Sequence, residues 1–334
     1  MLREEFPRLR LAHLPTPLEE MPNLTQRLKG PRLLIKRDDQ TGLATGGNKA
    51  RKLEYLMADA LAQGADTIVT LGAAQSNHAR QTAAAAARLG LKALLLLRGE
   101  EPPLRNGNLL LDDLLGAEVR WMGPQRRIPP ERIAGILEEL KQAGQRPYLV
   151  PYGGSNEVGV LGYIQAMREL LDQLEESGLV ADHLVVATSS GGTQVGLVLG
   201  AKIYGYEGKI IGISVDLPRE ELWNNLVSLA QATAARWGFD LSLGRDDFIV
   251  YDDYLGGGYG VLGPPEKEAI NLLAQTEGIL LDPVYTGRAM AGLIDLIRRG
   301  TFRSNEVVIF WHTGGTPALF AYAQELFKAP RTEP

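Results

Sequence analysis

Residues 183–204, HLVVATSSGGTQVGLVLGAKIY, run from a short apolar strand pattern through a glycine turn into a helical pattern. The helical part begins at Thr193. At the turn, the hydroxyl groups and the N–H groups of a helix N-terminus would cradle an anion such as a phosphate. The same turn could instead be a tight connection whose Ser and Thr side chains only cap the helix. It carries no Walker lysine, which disfavours a nucleoside triphosphate.

Outward from this segment, strand-like runs alternate with helical patterns along almost the whole chain. This alternation predicts an α/β protein whose parallel twisted sheets are covered by helices on both faces, with ligands at the carboxyl ends of the strands. The predicted strands are Arg32–Arg37, Thr67–Leu71, Lys92–Leu97, Glu118–Met122, Tyr148–Val150, Leu184–Ala187, Ile210–Val215, Phe248–Val250 and Val307–Trp311. The predicted helices are Ala50–Gln63, Ala79–Leu89, Glu131–Ala143, Val158–Glu176, Thr193–Tyr204 and Pro265–Glu277.

Length and composition exclude several classes of protein. The 334 residues suggest two domains, and 35 basic against 40 acidic residues argue against a nucleic-acid-binding surface. Without cysteine, thiol catalysis and Cys-ligated zinc are excluded, and the four histidines show no metal-ligand spacing. No apolar run approaches the ~20 residues of a membrane span, and the first residues lack a signal-peptide pattern. We therefore expect a cytoplasmic protein that acts on a small molecule without a metal.

Residues 45–56, TGGNKARKLEYL, contain a candidate catalytic lysine. Lys49 follows two glycines and Asn48, and it is followed closely by Arg51 and Lys52. Neighbouring cations and partial burial both lower the pKa of an amine, which a Schiff-base lysine requires. A lysine near the start of a helix is also commonly a solvated surface group. The segment by itself leaves both interpretations open.

Two further loops follow predicted strands and carry polar side chains. Ser76, Asn77 and His78 precede an alanine-rich helix, where they could hold a carboxylate or simply cap that helix. Thr313 opens the second loop, TGGT, which could contact another part of the same ligand or be a capped turn. Residues 258–263, GYGVLG, match the dinucleotide pattern GxGxxG, but no clean strand precedes them and two prolines follow. That context disfavours a nicotinamide or flavin site.

Taken together, these motifs resemble the pyridoxal-phosphate enzymes of the tryptophan synthase β fold type (fold type II). Within that fold type, the chain is similar to the D-cysteine desulfhydrase and 1-aminocyclopropane-1-carboxylate deaminase group. The motifs are PTPLE (15–19), IKRDD (35–39), GGNKARKLEYL (46–56), GAAQSNHARQTAAAAARLGL (72–91), VPYGGSN (150–156), SSGGT (189–193), DPVYTGRAMAGLID (282–295) and HTGGTPALFAY (312–322). The resemblance implies a homodimer, a large cofactor domain of residues 1–49 and 156–334, and a smaller inserted domain of residues 50–155.

The resemblance also implies roles for residues that bind pyridoxal 5'-phosphate. Lys49 would hold the cofactor covalently and move the α-proton of the substrate. Asn77 would bond the ring hydroxyl, and Thr313 would face the ring nitrogen. The phosphate would be bound by Ser189, Ser190, Gly191, Gly192 and Thr193.

On the substrate side, the resemblance implies that Ser76, Asn77 and His78 hold the carboxylate of an amino acid, with Ser76 also counted as catalytic. Tyr259 and Tyr285 would line this side as acid–base candidates, with Thr286 also in contact with the substrate.

The pair Tyr285-Thr286 bears on the choice of substrate. The ring-opening deaminases carry Tyr-Glu in the corresponding motif, and this chain lacks that carboxylate. The difference favours a β-elimination that converts D-cysteine to pyruvate, hydrogen sulfide and ammonia. The L-cysteate sulfo-lyases share much of the pattern, including Leu43-Ala44-Thr45, and remain the alternative, followed by the deaminases. Outside this class, a nicotinamide-dependent dehydrogenase or a non-catalytic small-molecule binder stay open.

Overall fold

A computed structural model of the protein describes residues 6–327. Its strands are β1 Leu18–Glu20, β2 Arg32–Arg37, β3 Thr67–Ala73, β4 Lys92–Arg98, β5 Glu118–Trp121, β6 Pro147–Val150, β7 His183–Thr188, β8 Lys209–Ser214, β9 Ile249–Tyr251 and β10 Val307–His312. Its helices are α1 Pro22–Leu28, α2 Lys49–Ala62, α3 Asn77–Arg88, α4 Asn108–Leu114, α5 Pro130–Gln142, α6 Leu161–Ser177, α7 Gly192–Tyr204, α8 Arg219–Trp237, α9 Pro264–Glu277, α10 Thr286–Arg298, α11 Ala318–Ala321 and α12 Ala323–Phe327.

The strands form two sheets. The larger has the order β1-β2-β10-β7-β8-β9, and the smaller has the order β5-β4-β3-β6. The strand pairs within both sheets are parallel, apart from the antiparallel pair of β1 with β2. The predicted α/β class with parallel sheets is therefore confirmed. The edge strand β1 was not predicted, since its sequence LEE lacks an apolar or β-branched run.

The larger sheet is assembled from two separate parts of the chain. Its strands come from residues 18–37 and 183–312, whereas those of the smaller sheet lie between residues 67 and 150. This arrangement agrees with an inserted smaller unit. The boundaries at residues 49/50 and 155/156 stay a prediction.

The opening segment folds as β7 and α7, and its glycines explain why it packs so closely. Every residue of β7 is buried, and α7 is apolar on nearly all sides, which is typical of a helix in the interior. A Cβ on Gly196 would lie 2.3 Å from the Cβ of Tyr163, and one on Gly200 would lie 2.6 Å from that of Met167. Glycine every four residues therefore lets α6 approach the backbone of α7.

A buried network of charges joins β2 to the start of α2. Arg51 donates two hydrogen bonds to the carboxylate of Asp38, at 2.9 and 2.8 Å, and also bonds Glu169 of α6. The carboxylate further accepts from the indole N–H of Trp311 at 2.9 Å and from the hydroxyl of Tyr163. Burial alone would raise the pKa of Asp38, but Arg51 brings it below its usual value. The network thus fixes the first turn of α2.

Candidate active site

A cavity of about 480 Å³ opens where the strand ends of the two sheets face each other. It is lined by residues that follow β3, β4 and β6 of the smaller sheet and β7, β8 and β10 of the larger one. Such strand ends are where ligands of open α/β sheets bind. The predicted site residues among its lining are Lys49, Ser76, Asn77, His78, Ser189, Ser190, Gly191, Thr193, Tyr259, Tyr285 and Thr313.

Lys49 is the first residue of α2, and its side chain lines the cavity. Burial disfavours the charged ammonium and lowers the pKa of Lys49 to about 8, although the carboxylate of Asp282 acts in the opposite direction. The sequence pointed to neighbouring cations as a second cause, but Arg51 is turned away toward Asp38. Burial is the main cause, and it leaves a large share of the amine neutral near physiological pH.

This pKa predicts how fast the apoprotein captures pyridoxal phosphate at different pH values. Only the neutral amine attacks an aldehyde, so the capture rate should rise with pH and level off above about 8. The appearance of the visible absorption band after mixing measures this rate. Nα-acetyl-lysine in solution is the control, and its rate should keep rising to pH ~10 because its amine is unperturbed. A protein rate that also rises to pH ~10 would contradict the low pKa of Lys49.

The turn between β7 and α7 forms a polar cradle. Gly191 has a φ of 87°, and a Cβ on Gly192 would lie 2.6 Å from the hydroxyl oxygen of Ser155 and 2.9 Å from the ammonium of Lys52. Ser155 accepts a hydrogen bond from the N–H of Gly192 at 3.1 Å. The hydroxyl oxygen of Thr188, at the end of β7, is buried without a hydrogen-bond partner within residues 6–327. This combination of free hydroxyl, backbone N–H groups and ammonium suits a phosphate.

Lys52 and Ser155 were not singled out from the sequence. The ammonium of Lys52 contacts the carbonyl oxygen of Gly153 and the hydroxyl of Ser155, both at 3.2 Å. Burial, and then the charge of Lys49, lower the pKa of Lys52 well below its ordinary value. A phosphate dianion would supply the missing counter-charge. One signal was available, because Lys52 follows Lys49 by three residues and therefore lies on the same face of α2.

The N-terminus of α3 provides a second polar wall. The hydroxyl of Ser76 accepts from the N–H of Ala79 at 3.1 Å, so Ser76 caps the helix and also lines the cavity. The imidazole of His78 lies with Nε2 2.8 Å from the hydroxyl of Thr70. Burial, and then the charges of Lys49 and nearby Lys52, keep the pKa of His78 well below its usual value. His78 is therefore neutral, and positive potential for a carboxylate comes from the helix N-terminus.

Two tyrosines and a threonine line the opposite side. The hydroxyl oxygens of Tyr259 and Tyr285 lie 2.7 Å apart, and the guanidinium carbon of Arg98 lies 4.6 Å from the ring centre of Tyr259. Burial and the neighbouring Tyr259 raise the pKa of Tyr285 well above its usual value, so this phenol stays protonated. Thr313 follows β10, and its carbonyl oxygen accepts from the N–H of Asn48 at 3.0 Å. Thr313 also lines the cavity.

The structure does not bring Thr286 or Gly192 into the lining of the cavity. Thr286 is fully buried, and its hydroxyl donates to the carboxylate of Asp282 at 2.8 Å. That carboxylate also accepts from the N–H groups of Val284 and Tyr285 and thus anchors the start of α10. The contact of Thr286 with the substrate therefore stays a prediction that the lining of the cavity does not support. Thr286 supports Tyr285 indirectly, and Gly192 contributes its N–H to Ser155.

Within residues 6–327, no group of three or more His, Asp or Glu side chains could hold a metal ion. No helix in the same part of the chain is long and apolar enough to cross a membrane.

The sequence pattern of the pyridoxal-phosphate-dependent enzymes matches residues 9–314. The chain belongs to this family. The D-cysteine desulfhydrase of Klebsiella pneumoniae (strain 342) is 46% identical over 326 residues, which cover 96% of this chain and 98% of that protein. The D-cysteine desulfhydrase of Salmonella typhi is 45% identical over 323 residues, covering 95% of this chain and 96% of that protein.

Solved structures show the same fold. The crystal structure of an ACC deaminase homologue superposes with a TM-score of 0.89 at 41% identity and covers 96% of both chains. The diaminopropionate ammonia lyase of Escherichia coli has a TM-score of 0.64 at 18% identity, covering 94% of this chain and 86% of that one, and shows the fold alone. The resemblance inferred from the motifs is confirmed, as are fold type II and the pyridoxal-phosphate cofactor of the family.

Proposed function

We propose that this pyridoxal-phosphate enzyme converts D-cysteine and water to pyruvate, hydrogen sulfide and ammonia. The observation that carries the proposal is the position of Lys49, whose amine has a pKa lowered to about 8 by burial and shares one cavity with the hydroxyl pair of Tyr259 and Tyr285. Position 286 adds no carboxylate to that cavity. The curated desulfhydrases, at 45–46% identity over nearly their whole length, support the same substrate.

Different residues of the cavity would hold the cofactor and orient the substrate. The turn at Ser189–Thr193, with Ser155 and Lys52, would hold the phosphate, and Thr313 would face the ring nitrogen. Once bound, pyridoxal phosphate draws electrons from the Cα of the amino acid and acidifies its C–H bond. Lys49 would hold the cofactor and take the α-proton, while the N-terminus of α3 orients the carboxylate. The phenol of Tyr285 stays protonated, so it would donate a proton to the departing sulfur, either directly or through the hydroxyl of Tyr259.

Side-by-side assays would test the substrate. Purified protein should be yellow, should bleach with borohydride, and should release sulfide and pyruvate in equal amounts from D-cysteine. D-serine, L-cysteate and the cyclopropane amino acid are the comparison substrates. Faster release of sulfite from L-cysteate than of sulfide from D-cysteine would overturn the proposal.

One observation favours L-cysteate as the second candidate. Arg98, Arg126 and Arg127 line the cavity, and the guanidinium group of arginine is suited to a sulfonate. Glu221 lies 4.0 and 3.8 Å from Arg126 and Arg127 and offsets part of this charge. The side chains of both arginines are also more than half exposed, so solvent weakens their attraction for an anion. D-cysteine therefore stays the first choice.

Replacing Thr313 by aspartate should slow the elimination. An adjacent carboxylate raises the pKa of a ring nitrogen and favours its protonated form, which holds negative charge on the ring instead of releasing it with sulfur. We expect roughly one to two factors of ten in rate, at ~1.4 kcal/mol each, and a new long-wavelength absorption band in stopped-flow spectra with D-cysteine. Thr313→Ser, which keeps a neutral hydroxyl, is the control. Wild-type rates and spectra for Thr313→Asp would show that this residue does not face the ring nitrogen.

We further propose that the enzyme is a cytoplasmic homodimer with the domain boundaries given above. Only the family resemblance supports the dimer and the compartment. Light scattering of the purified protein tests the first, and fractionation of cells tests the second.

A further inference from the structure

The side-chain amide of Asn77 can present either its oxygen or its nitrogen to the cavity, and the two have opposite hydrogen-bonding roles. Asn77 is only 8% exposed and lines the cavity. What decides its orientation lies behind it, in α4. There, fully buried Asn108 donates from its Nδ2 to the Oδ1 of Asn77 at 2.9 Å and to the carbonyl oxygen of Gln75 at 3.1 Å. The oxygen of Asn77 is therefore already engaged away from the cavity.

Asn108 is itself held in one orientation by Arg80. The Nε of Arg80 donates to the Oδ1 of Asn108 at 3.0 Å. A guanidinium group has donors and no acceptor, so the atom of Asn108 that faces it must be the oxygen. This orientation of Asn108 fixes the donor-to-acceptor direction of the hydrogen bonds that run from Arg80 through Asn108 to Asn77. Each amide accepts on its Arg80 side and has its nitrogen left for the next partner.

Arg80 is anchored at its other end by the loop that leads to Lys49. It is fully buried, and its Nη1 donates to the carbonyl oxygens of Gly46, at 2.9 Å, and of Ala44. Arg80 therefore ties the position of the lysine loop to the orientation of Asn77. Burial lowers the pKa of Arg80, and the attraction of Asp112, which is also fully buried, acts in the opposite direction.

The remaining Nδ2 of Asn77 faces the loop that follows β10. A Cβ on Gly315 would lie 2.5 Å from this nitrogen, so glycine leaves the space in front of it open. Within residues 6–327, no protein acceptor takes its hydrogens in a hydrogen bond. The nitrogen is also not among the buried atoms that lack a partner in that part of the chain. A ligand oxygen in the cavity is the acceptor that this arrangement is built to receive.

We propose that Asn108 and Arg80 are positioning residues that fix Asn77 as a hydrogen-bond donor toward an anionic oxygen on the cofactor ring. The inference rests on the proposed placement of pyridoxal phosphate in this cavity. A donor stabilises the ionised ring oxygen, whereas an amide oxygen at the same place would favour the protonated one. The orientation of the Asn77 amide, which Arg80 sets through Asn108, would thereby select the ionic form of the bound cofactor.

Asn108→Asp tests the proposal, because it replaces the donor that faces Asn77 by an acceptor. It also adds a negative charge beside Arg80 and places an oxygen against the carbonyl oxygen of Gln75, and the Asn77→Ala background below separates these effects from the turning of Asn77. Aspartate keeps one oxygen for Arg80 and presents the other to Asn77. Asn77 must then turn its nitrogen toward the new carboxylate and its oxygen toward the cavity. We expect the affinity for pyridoxal phosphate to fall about ten- to a hundredfold and the absorption of the bound cofactor to move from the visible toward the near ultraviolet.

Asn108→Ala is the matched control, because it removes the same donor without offering an acceptor. If Asn108 only supported the fold, alanine would be the worse variant in both thermal stability and cofactor affinity. The proposal requires Asn108→Asp to have the weaker cofactor affinity and the more altered spectrum. Asn108→Ala should nevertheless have the lower Tm of the two. In an Asn77→Ala background, Asn108→Asp should have no further effect on affinity.

Equal cofactor affinity and spectrum in wild type and Asn108→Asp would overturn the inference. So would a further loss of affinity in the Asn77→Ala background. These measurements do not depend on turnover. A wild-type protein that binds pyridoxal phosphate but releases no sulfide from D-cysteine would therefore contradict the proposed function alone.

Discussion

Lys49→Ala is expected to lower the release of sulfide from D-cysteine by roughly three to six factors of ten, since the group that moves the proton is lost. The cavity would remain, because Ser189–Thr193 and Ser155 lie in other segments and Lys52 lies three residues further along α2. The variant should therefore still bind pyridoxal phosphate, but borohydride should no longer fix the cofactor to the chain. Mass spectrometry after reduction and a sulfide assay measure both outcomes.

Lys141→Ala is the control for the loss of a lysine as such. Lys141 lies on α5 with its side chain 61% exposed, 4.0 Å from Glu138, and it does not line the cavity. We expect wild-type turnover from this variant. Ordinary sulfide release by Lys49→Ala would show that Lys49 is not the catalytic lysine.

Asp38→Ala is expected to cause the largest loss of stability, about 3–5 kcal/mol in the free energy of unfolding. The substitution removes the fully buried carboxylate that accepts from Arg51, Tyr163 and Trp311. It leaves the guanidinium of Arg51 with Glu169 and the uncharged hydroxyl of Thr16. Urea unfolding, followed by circular dichroism, measures the change. A loss below about 1 kcal/mol would contradict a stabilising role for this network.

Asp113→Ala is the matched control, since it breaks a surface ion pair with Arg105 and should cost less than ~1 kcal/mol.

The stabilisation by Asp38 depends on pH with a definite sign. Because the pKa of Asp38 is lowered in the folded protein, its stabilisation is complete above its unfolded pKa of 3.8 and is lost as the pH falls below that value. Asp38→Ala should therefore unfold with less additional destabilisation in acid than wild type.

The sequence predicted the sheets well because buried parallel strands carry their own signal. All nine predicted strands are present, with bounds that agree within a residue or two. Strands buried on both faces of a parallel sheet read as continuous apolar runs, such as LLLL of β4. The helices were harder. The 19-residue helix α8 was missed, although Leu222, Leu226 and Ala230 recur every four residues and are all buried. Large apolar residues such as Trp223, Val227 and Leu229 also fall outside this four-residue spacing, so the pattern is weak.

Some site residues can be found from one short motif, whereas others depend on contacts between segments that are distant in sequence. Lys49 and the turn Ser189–Thr193 could be singled out as candidates because each lies in one continuous motif, and the structure brings Lys49 and most of the turn to the cavity. Ser155 and Asp282 could not be singled out, because their roles depend on segments far apart in sequence that meet only when the sheets form. Thr286 shows the limit of reasoning by position. It neighbours Tyr285 in sequence, yet the first turn of α10 points its side chain the other way, into Asp282.

The order of strands in the larger sheet has a consequence for synthesis of the protein on the ribosome. β10, the last strand to be made, lies between β2 and β7 and pairs with both. The earliest strands therefore wait, with their edges open, until nearly the whole chain has been translated, whereas the smaller sheet can form as soon as residue 150 emerges. Pairing of strands so distant in sequence is slow and exposes edges that can aggregate. A nascent chain halted before residue 307 should therefore depend on chaperones that shield strand edges.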